Sequence, residues 1–286
     1  MHSFCKVIFA CPAITNVGIC KYTGRGRIFT YHRVMPVFSF DRYVKLEIVS
    51  SRTNHKIAHF CPRTWWGGKM NLLGGLLSQS GKPCGWFGRF LVRGMNFGHS
   101  GMTLWGLTKA EIPENAFVLD IGCGGGRTLE RLASLARFGK AVGIDYSEDA
   151  VAVARKRNQQ LIADGRVEVI HGSVSSMPFS NATFDRVSAV ETYYFWPDIA
   201  ADLAEVRRVM KPSGQLVIIA GMYRGSRFDK RNMRLIKAGG MRCFSVQEFE
   251  EALQDAGFSA VAVSVEPRKG WICVVSELGS TDNMKE

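Results

Sequence analysis

One aspartate and four glycines stand close together near the middle of the chain, in the stretch FVLDIGCGGGRTLERLA at 117–133. The aspartate is Asp120, and the four glycines lie within the five positions 122–126. Glycine has no Cβ and adopts positive φ readily, so a ligand can lie directly against the main chain. A helix that begins after such a turn adds unpaired N–H groups and the positive end of its dipole. A turn without a ligand is the alternative, but it would not need the entropic cost of four glycines. The stretch therefore predicts a binding turn for a nucleotide-type cofactor.

A second acidic residue follows at the distance that such a cofactor needs. Asp145 ends the apolar stretch AVGID, about 20 residues beyond the glycines, where a carboxylate can accept hydrogen bonds from ribose hydroxyls. Helix capping is the alternative role. Ser147 is already placed to cap the next helix, with Glu148 and Asp149 in its first turn. Asp145 is therefore predicted to hold a ribose.

The elements that must position these residues alternate between strand and helix. Short apolar runs predict seven strands, at 117–121, 141–145, 166–172, 184–191, 215–221, 258–265 and 271–276. Helical spacing predicts helices from Arg127, over 147–163, with Ile199, Leu203, Val206 and Met210 on one face, and from a Ser245–Glu248 capping box to Gly257. The segment KPSG at 211–214 predicts a turn. This order predicts an α/β fold with a seven-stranded, mostly parallel sheet and helices on both faces, and ligands bind beyond the carboxyl ends of such strands.

Five segments together resemble the class I S-adenosylmethionine (SAM)-dependent methyltransferases. They are VLDIGCGGGRT, GIDYS, GSVSSMPF, FDRVSAVETYYFWPD and LAEVRRVMKPSGQLVI. The resemblance covers about residues 85–276, and it is closest to the small-molecule branch, the type-11 group near the quinone-biosynthesis C-methyltransferases. It implies a Rossmann-like domain with an N-terminal helical cover. It also implies SAM as cofactor, S-adenosylhomocysteine as product, and SN2 transfer of a methyl group to a small-molecule acceptor.

The resemblance also implies roles for individual residues. The glycine turn would pass the methionine part of SAM, Asp145 would hold the ribose, and Ser173 and Val174 would flank the adenine. The family usually carries an aspartate where this chain has Ser173, and a hydroxyl bonds the adenine amine more weakly than a carboxylate. The expected cofactor-binding residues are Asp120, Gly122, Cys123, Gly124, Gly126, Asp145, Tyr146, Ser173, Val174 and Glu191.

The acceptor is expected beside ETYYFWPD at 191–198, where four aromatic residues follow the fourth strand of the sheet. Tyr193 and Tyr194 are predicted to face the pocket, since aromatic faces attract a cationic sulfonium by roughly 0.5–2 kcal/mol. Packing of the next helix is the alternative. A general base is needed only if the acceptor arrives protonated. His99 and Glu191 are the candidate bases, and Tyr193 is a third candidate catalytic residue, whereas a packing or capping role is the alternative for His99.

A basic segment follows the fifth strand of the sheet. Residues 222–242 hold seven Lys or Arg against the single acidic residue Asp229. One hypothesis is an anionic acceptor, a carboxylate or a phosphate, that is held by some of these side chains, with Arg224 as the first candidate. A solvated helix face is the alternative.

The charge divides the chain. Residues 1–69 hold eleven Lys or Arg against two Asp or Glu, a net charge of +9, and residues 70–286 hold the remaining +3 of the total of +12. We interpret 1–69 as a basic, poorly ordered N-terminal extension, either a transit peptide or sequence upstream of a start at Met70. Residues 70–110 are predicted to form the helical cover, with Met102, Leu104 and Trp105 among its inward apolar positions, and 111–286 the SAM-binding domain.

Composition bears on four possibilities: a membrane span, a metal site, a nucleic-acid substrate and the cellular compartment. Longer apolar runs, of roughly 18 residues, are needed for a membrane span, and the chain has none. The eight cysteines lack zinc-ligand spacing, which predicts no metal site and a reducing, cytoplasmic location. A nucleic-acid substrate is not favoured, because the excess positive charge is concentrated in 1–69 and the amino-methylating signature N-P-P-[YF] is missing. A monomer or a homodimer is expected.

Two other functions remain open from the sequence. An NAD-linked Rossmann oxidoreductase shares the fold and the ribose-binding acid, but the spacing D-x-G-x-G-x-G differs from its G-x-G-x-x-G fingerprint, whose third glycine is replaced by Arg127. A non-catalytic SAM-binding interaction protein would keep the cofactor residues without an acceptor site.

Overall fold

The computed structural model describes residues 99–279 and the backbone of 4–8 and 17–21. The chain divides into two units, Met1–Lys69 and Met70–Glu286. In the first unit, strands β1 (Phe4–Ile8) and β2 (Val17–Lys21) pair antiparallel, a pairing that the residue pattern of this segment does not indicate. The predictions for the rest of 1–69, and for the part of the cover before residue 99, lie outside the described residues.

The second unit contains a seven-stranded sheet. Its strands are β3 (Phe117–Ile121), β4 (Lys140–Asp145), β5 (Val167–His171), β6 (Phe184–Val190), β7 (Met210–Ala220), β8 (Phe258–Glu266) and β9 (Trp271–Leu278). Their order in the sheet is β5-β4-β3-β6-β7-β9-β8, with every neighbouring pair parallel except β7 with β9 and β9 with β8. The predicted seven-stranded, mostly parallel α/β fold is confirmed.

Helices cover both faces of this sheet. They are α1 (Ser100–Leu107), α2 (Arg127–Leu135), α3 (Glu148–Arg157), α4 (Gln159–Ala163), α5 (Ile199–Val209), α6 (Asp229–Gly239) and α7 (Val246–Asp255). Apolar side chains of β3 alternate between the two faces, with Val118 buried among α1, α2 and α3, and Leu119 buried among α5 and α7. The sheet is therefore buried on both faces, as its continuous apolar strands require.

Helix α1 is the described part of the predicted cover. Its Met102 is buried, but Leu104 is 53% exposed, so the expectation that both face inward is wrong for Leu104. Residues two apart lie on different sides of a helix, which explains the difference.

The helix expected over 147–163 is two helices. Asn158 separates α3 from α4, and its side-chain amide donates to the carbonyl of Ala154 at 3.0 Å. Such local side-chain bonds compete with the backbone pattern of a helix.

The turn expected at 211–214 lies inside β7. Phe184 pairs with Met210 and Arg186 pairs with Gln215, so four residues of β7 face a single residue of β6 and bulge out of the pairing. Ser213 in this bulge has a φ of 59°. Met210 was expected on a face of the preceding helix, but α5 ends at Val209. No helix within the described residues is long and apolar enough to cross a membrane.

Candidate functional site

The glycine turn is tied to the neighbouring strand by its main chain. The N–H groups of Gly122 and Cys123 donate to the carbonyl of Ile144 at 2.8 and 3.1 Å. The turn ends at Gly126, whose φ of 77° is left-handed and which caps the start of α2. The carboxyl ends of β3 and β4 are thereby fixed side by side, where a cofactor between them would meet both.

Two of the glycines are required for different reasons. A Cβ on Gly126 would lie 2.5 Å from the amide nitrogen of Asn158 and 2.9 Å from Cα of Ala154, so only glycine fits against α3. A Cβ on Gly124 would meet nothing closer than 4.0 Å, so the main chain there is open on the side that a side chain would fill. This open backbone is a cradle for a ligand.

Asp145 reaches across from β4 and binds the turn. One carboxylate oxygen accepts from the N–H of Gly124 at 2.9 Å and the other from the N–H of Ser147 at 2.8 Å. Burial raises the pKa of Asp145, and the two N–H groups act against that rise. Ser147 is the cap of α3, through the N–H of Ala150. Asp145 is therefore not needed as the helix cap and stands at the edge of the turn.

Asp120 is a buried carboxyl group with one unsatisfied oxygen. It is 1% exposed, and its Oδ1 accepts from the hydroxyl of Ser188 at 2.7 Å. Within the described part of the chain, its Oδ2 has no hydrogen-bond partner. Burial raises the pKa of Asp120 to about 7, with a smaller opposing contribution from Ser188 and a further rise from the charge of Asp145. An unsatisfied buried carboxyl oxygen beside an open glycine turn fits a cationic or hydrogen-bonding ligand group.

The remaining predicted cofactor residues line the same edge with less specific geometry. The Cys123 side chain is buried against Gly143 of β4, where a Cβ would lie 2.8 Å from its Sγ. Only the main chain of Cys123 therefore contributes to the turn. Tyr146 is 38% exposed, and its carbonyl lies 3.0 Å from Nε2 of His171. Ser173 accepts from the N–H of Ser175 at 3.2 Å, and Val174 is buried. Their contacts with adenine stay predictions.

A second cluster forms at the carboxyl end of β6. Glu191 has a φ of 58°, a left-handed conformation that is unfavourable for a residue with a side chain. Its Oε1 accepts from the N–H of Gly221 and from the phenol of Tyr194, the latter at 3.1 Å. Its Oε2 lies 3.8 Å from Nε2 of His99. The two candidate bases that the sequence places 92 positions apart are thus neighbours.

The two tyrosines differ in what they contact. Burial raises the pKa of Tyr194 well above its usual value, with a further rise from the charge of Glu191, so its phenol stays protonated beside that carboxylate. Tyr193 is 0% exposed, packs on Phe249 at 4.8 Å between ring centroids, and accepts from the N–H of Phe244. Its burial favours the packing alternative over the predicted catalytic and substrate contacts.

Arg224, the candidate for an anionic acceptor, already has a partner. Its guanidinium forms an ion pair with Glu248 at the start of α7. The main-chain N–H of Arg224 donates to the carbonyl of Phe244 at 2.8 Å. An anionic ligand would have to displace Glu248. The geometry therefore weakens the prediction for Arg224.

Three residues that contact the candidate site carry no motif in the sequence. Ser188 satisfies one oxygen of Asp120, Asn158 donates to the carbonyl of Gly126 at 3.0 Å, and the Thr192 side chain occupies the place of a Cβ on Gly122. Only Ser188 gives a signal, as a hydroxyl inside an otherwise apolar stretch of a buried strand. Asn158 and Thr192 are recognisable only after the chain is folded.

Comparison with known proteins agrees with this geometry. Residues 119–218 match the family model described as a methyltransferase domain. The 27-O-demethylrifamycin SV methyltransferase of Amycolatopsis mediterranei is 30% identical over 161 residues, 54% of this chain and 59% of that protein. The demethylmenaquinone methyltransferase of Bacillus licheniformis is 33% identical over 109 residues, 38% of this chain and 46% of that protein. The chain thus spans about half the length of these relatives.

A solved structure shares the fold. The SAM-dependent methyltransferase from Aquifex aeolicus superposes with a TM-score of 0.55 over 66% of this chain and 98% of that chain, at 21% identity.

Proposed function

We propose that the protein transfers a methyl group from SAM to a small-molecule acceptor, because residues 119–218 match a methyltransferase domain. The observation that carries this proposal is the open main chain at Gly124, with Asp145 bound to it and the unsatisfied oxygen of Asp120 beneath the same turn. The unsatisfied oxygen of Asp120 costs stability in the absence of a ligand, and a polar group of the cofactor would remove that cost.

The residues of the first cluster would hold the cofactor. Asp145 would accept from the ribose hydroxyls, and the turn with Asp120 would face the charged methionine part. Ser173, Val174 and Tyr146 would border the adenine. When bound, SAM supplies an electrophilic methyl group, so the task of the protein is to align the acceptor and to exclude water.

The residues of the second cluster would remove a proton from the acceptor. Glu191 would accept it from the acceptor through Oε2, since Oε1 is occupied by Gly221 and Tyr194. Tyr194 would position this carboxylate. His99 lies 3.8 Å from Oε2 and would have to move closer to take the proton on. The arrangement supports an acceptor that arrives protonated, such as a hydroxyl or an acidic carbon.

Calorimetry tests the cofactor. We expect S-adenosylhomocysteine to bind and NAD(H) not to bind, because the spacing D-x-G-x-G-x-G differs from the dinucleotide fingerprint. Tighter binding of NAD would favour the oxidoreductase alternative. Mass spectrometry of bound small molecules, followed by turnover with the identified acceptor, separates an enzyme from a non-catalytic SAM-binding protein.

The domain boundaries and the location remain part of the proposal. We propose that 1–69 is dispensable, that 70–110 covers the site, and that 111–286 binds SAM. A chain that starts at Met70 should bind S-adenosylhomocysteine as tightly as the full chain, and loss of binding would show that 1–69 packs on the domain. A cytoplasmic location is supported by composition, including free cysteines at 123, 243 and 273 among the described residues. A monomer or a homodimer is part of the same proposal.

A further inference from the structure

Three aromatic rings on one surface of the described domain each carry a cation over the ring. The pairs, with distances from the charged atom to the ring centroid, are Lys109 over Trp105 at 5.7 Å, Lys269 over Trp271 at 4.2 Å, and Arg231 over Phe228 at 4.6 Å. All three fall within the range of cation–π attraction. These six residues are called the aromatic–cationic surface.

The six residues come from three segments but form one continuous surface. The rings of Trp105 and Trp271 lie 6.0 Å apart between centroids. Gly270, next to Trp271, lies against Phe228, since a Cβ there would be 2.5 Å from Cδ2 of that ring. The surface therefore runs from α1 across the β8–β9 turn to the first turn of α6.

The aromatic–cationic surface borders the acceptor side of the sheet. Trp271 opens β9, and the next residue, Ile272, pairs with Ala220 at the carboxyl end of β7. Glu191 binds the N–H of Gly221, one residue further along. The rings therefore stand beside the edge at which an acceptor would enter.

We propose that the aromatic–cationic surface docks this domain on an anionic lipid bilayer. Tryptophan and long cationic side chains are the residues that occupy the boundary between headgroups and acyl chains. Lysine and arginine near such a surface are attracted to anionic lipids. Leu104, which precedes Trp105 in the chain, is an apolar side chain with 53% exposure and would enter the acyl region.

The charge around the surface matches an anionic partner. Segment 222–242 has seven Lys or Arg against Asp229, and that single carboxylate accepts from the N–H of Gly225 with both oxygens at 3.0 Å. The Asp229 carboxylate and Glu248, which pairs with Arg224, offset part of this charge, so the segment stays net positive.

A single-stranded nucleic acid is the competing anionic partner, and the geometry disfavours it. Bases stack on open aromatic faces. Here a cation stands over each ring, and Gly270 closes on Phe228, which leaves less open face for stacking. A bilayer needs no ring face, because it accepts the rings and the cations at different depths.

Docking has a consequence for the acceptor. An apolar acceptor dissolved in the bilayer would reach the Glu191 cluster without crossing water. This consequence rests on the proposed methyl transfer, whereas the docking itself does not.

Vesicle binding by the full chain tests the docking. We expect binding to vesicles of phosphatidylcholine and phosphatidylglycerol in equal parts, and weaker binding to phosphatidylcholine alone. The variant Leu104→Ser/Lys269→Glu should lose about tenfold or more in partition coefficient, since it removes one apolar contact and reverses one charge. The matched control Phe138→Ser/Lys156→Glu makes the same kinds of change away from the surface, where Phe138 is 75% exposed, and should bind as the parent does.

Fluorescence quenching locates the contact. Brominated acyl chains should quench tryptophan emission of the bound chain, and Trp105→Phe/Trp271→Phe should lose most of that quenching. Equal partition of variant and control, or unchanged quenching in the tryptophan variant, would overturn the proposal. Binding of a single-stranded oligonucleotide that Leu104→Ser/Lys269→Glu also abolishes would overturn it in favour of nucleic acid. Calorimetry with S-adenosylhomocysteine reports separately on the proposed function.

Discussion

The two clusters at the carboxyl edge of the sheet are built in opposite ways. In the glycine-turn cluster, the contacts come from the main chain. The N–H groups of 122–124 donate to the carbonyl of Ile144 and to the carboxylate of Asp145. In the Glu191 cluster, side chains from α1's N-cap residue His99, the end of β6 and the helical turn at Tyr193–Phe195 meet around one carboxylate. Main-chain contacts suit a ligand that stays the same when the sequence changes. Side-chain contacts suit an acceptor site whose specificity changes with substitutions.

The two clusters also differ in how their carboxylates are satisfied. Asp145 uses both oxygens on main-chain N–H groups. Glu191 uses one, and its other oxygen is 3.8 Å from His99, beyond hydrogen-bond distance. Among the described residues, Oε2 of Glu191 is therefore free of hydrogen bonds that a proton would disrupt, whereas protonation of Asp145 would weaken its bonds to Gly124 and Ser147.

The largest expected effect is at Glu191. If it is the base, Glu191→Gln should lower kcat for the identified acceptor by about 10²- to 10⁴-fold, the usual contribution of general-base catalysis. Affinity for S-adenosylhomocysteine should change little, because the amide oxygen can still accept from the N–H of Gly221 and the phenol of Tyr194. Glu168→Gln, on the exposed end of an ion pair with Lys140, is the control and should keep full activity. An active Glu191→Gln enzyme with an unchanged pH profile would remove Glu191 from the reaction.

Asp120 should give the next largest effect, on stability. Its folded pKa is raised from 3.8 to about 7, so the stability present below about pH 4 is lost as pH rises towards about 7. The loss is about 4 kcal/mol at most, from the difference between the two pKa values. Asp120→Asn removes the titration, so urea unfolding should show the variant gaining on the parent between pH 4 and 8.

Ser188→Ala sharpens this test. The hydroxyl of Ser188 stabilises the charged form of Asp120, so its removal should raise the pKa further and move the upper end of the window to higher pH. Parallel stability curves for parent and Asp120→Asn would show that the carboxyl group is not buried as described.

Asp145 should have a smaller effect that falls on the ligand. Asp145→Ala should weaken binding of S-adenosylhomocysteine by about 1.5–3 kcal/mol, the range for hydrogen bonds to a charged group. Asp164→Asn, at the exposed end of α4, is the control. An unchanged dissociation constant with intact circular dichroism would show that Asp145 serves the turn alone.

The contrast between the clusters explains what the sequence could predict. The glycine turn and Asp145 are local patterns with direct consequences for the backbone. The fold that they indicated is confirmed, and residues 119–218 match a methyltransferase domain. The capping box at Ser245 is equally local, and it is present. The contact of His99 with Glu191 depends on where α1 lies on β7, which no local pattern encodes. The bulge at 211–214 depends on how β7 pairs with β6. The break at Asn158 depends on a side-chain hydrogen bond that competes with the helical backbone pattern.

Arg224 should give the smallest effect on stability, and its variant tests whether the acceptor is anionic. Its ion pair with Glu248 is partly exposed, at 45% and 37% for the two side chains, so Arg224→Ala should cost less than about 1 kcal/mol of unfolding free energy. Affinity for S-adenosylhomocysteine should be unchanged, since the pair lies at the start of α7. Because Glu248 already neutralises the guanidinium, we expect the KM of the acceptor to stay within about twofold of the parent value, as for the exposed control Arg234→Ala. A rise in KM confined to Arg224→Ala, with kcat unchanged, would show that the guanidinium leaves Glu248 to bind an anionic acceptor.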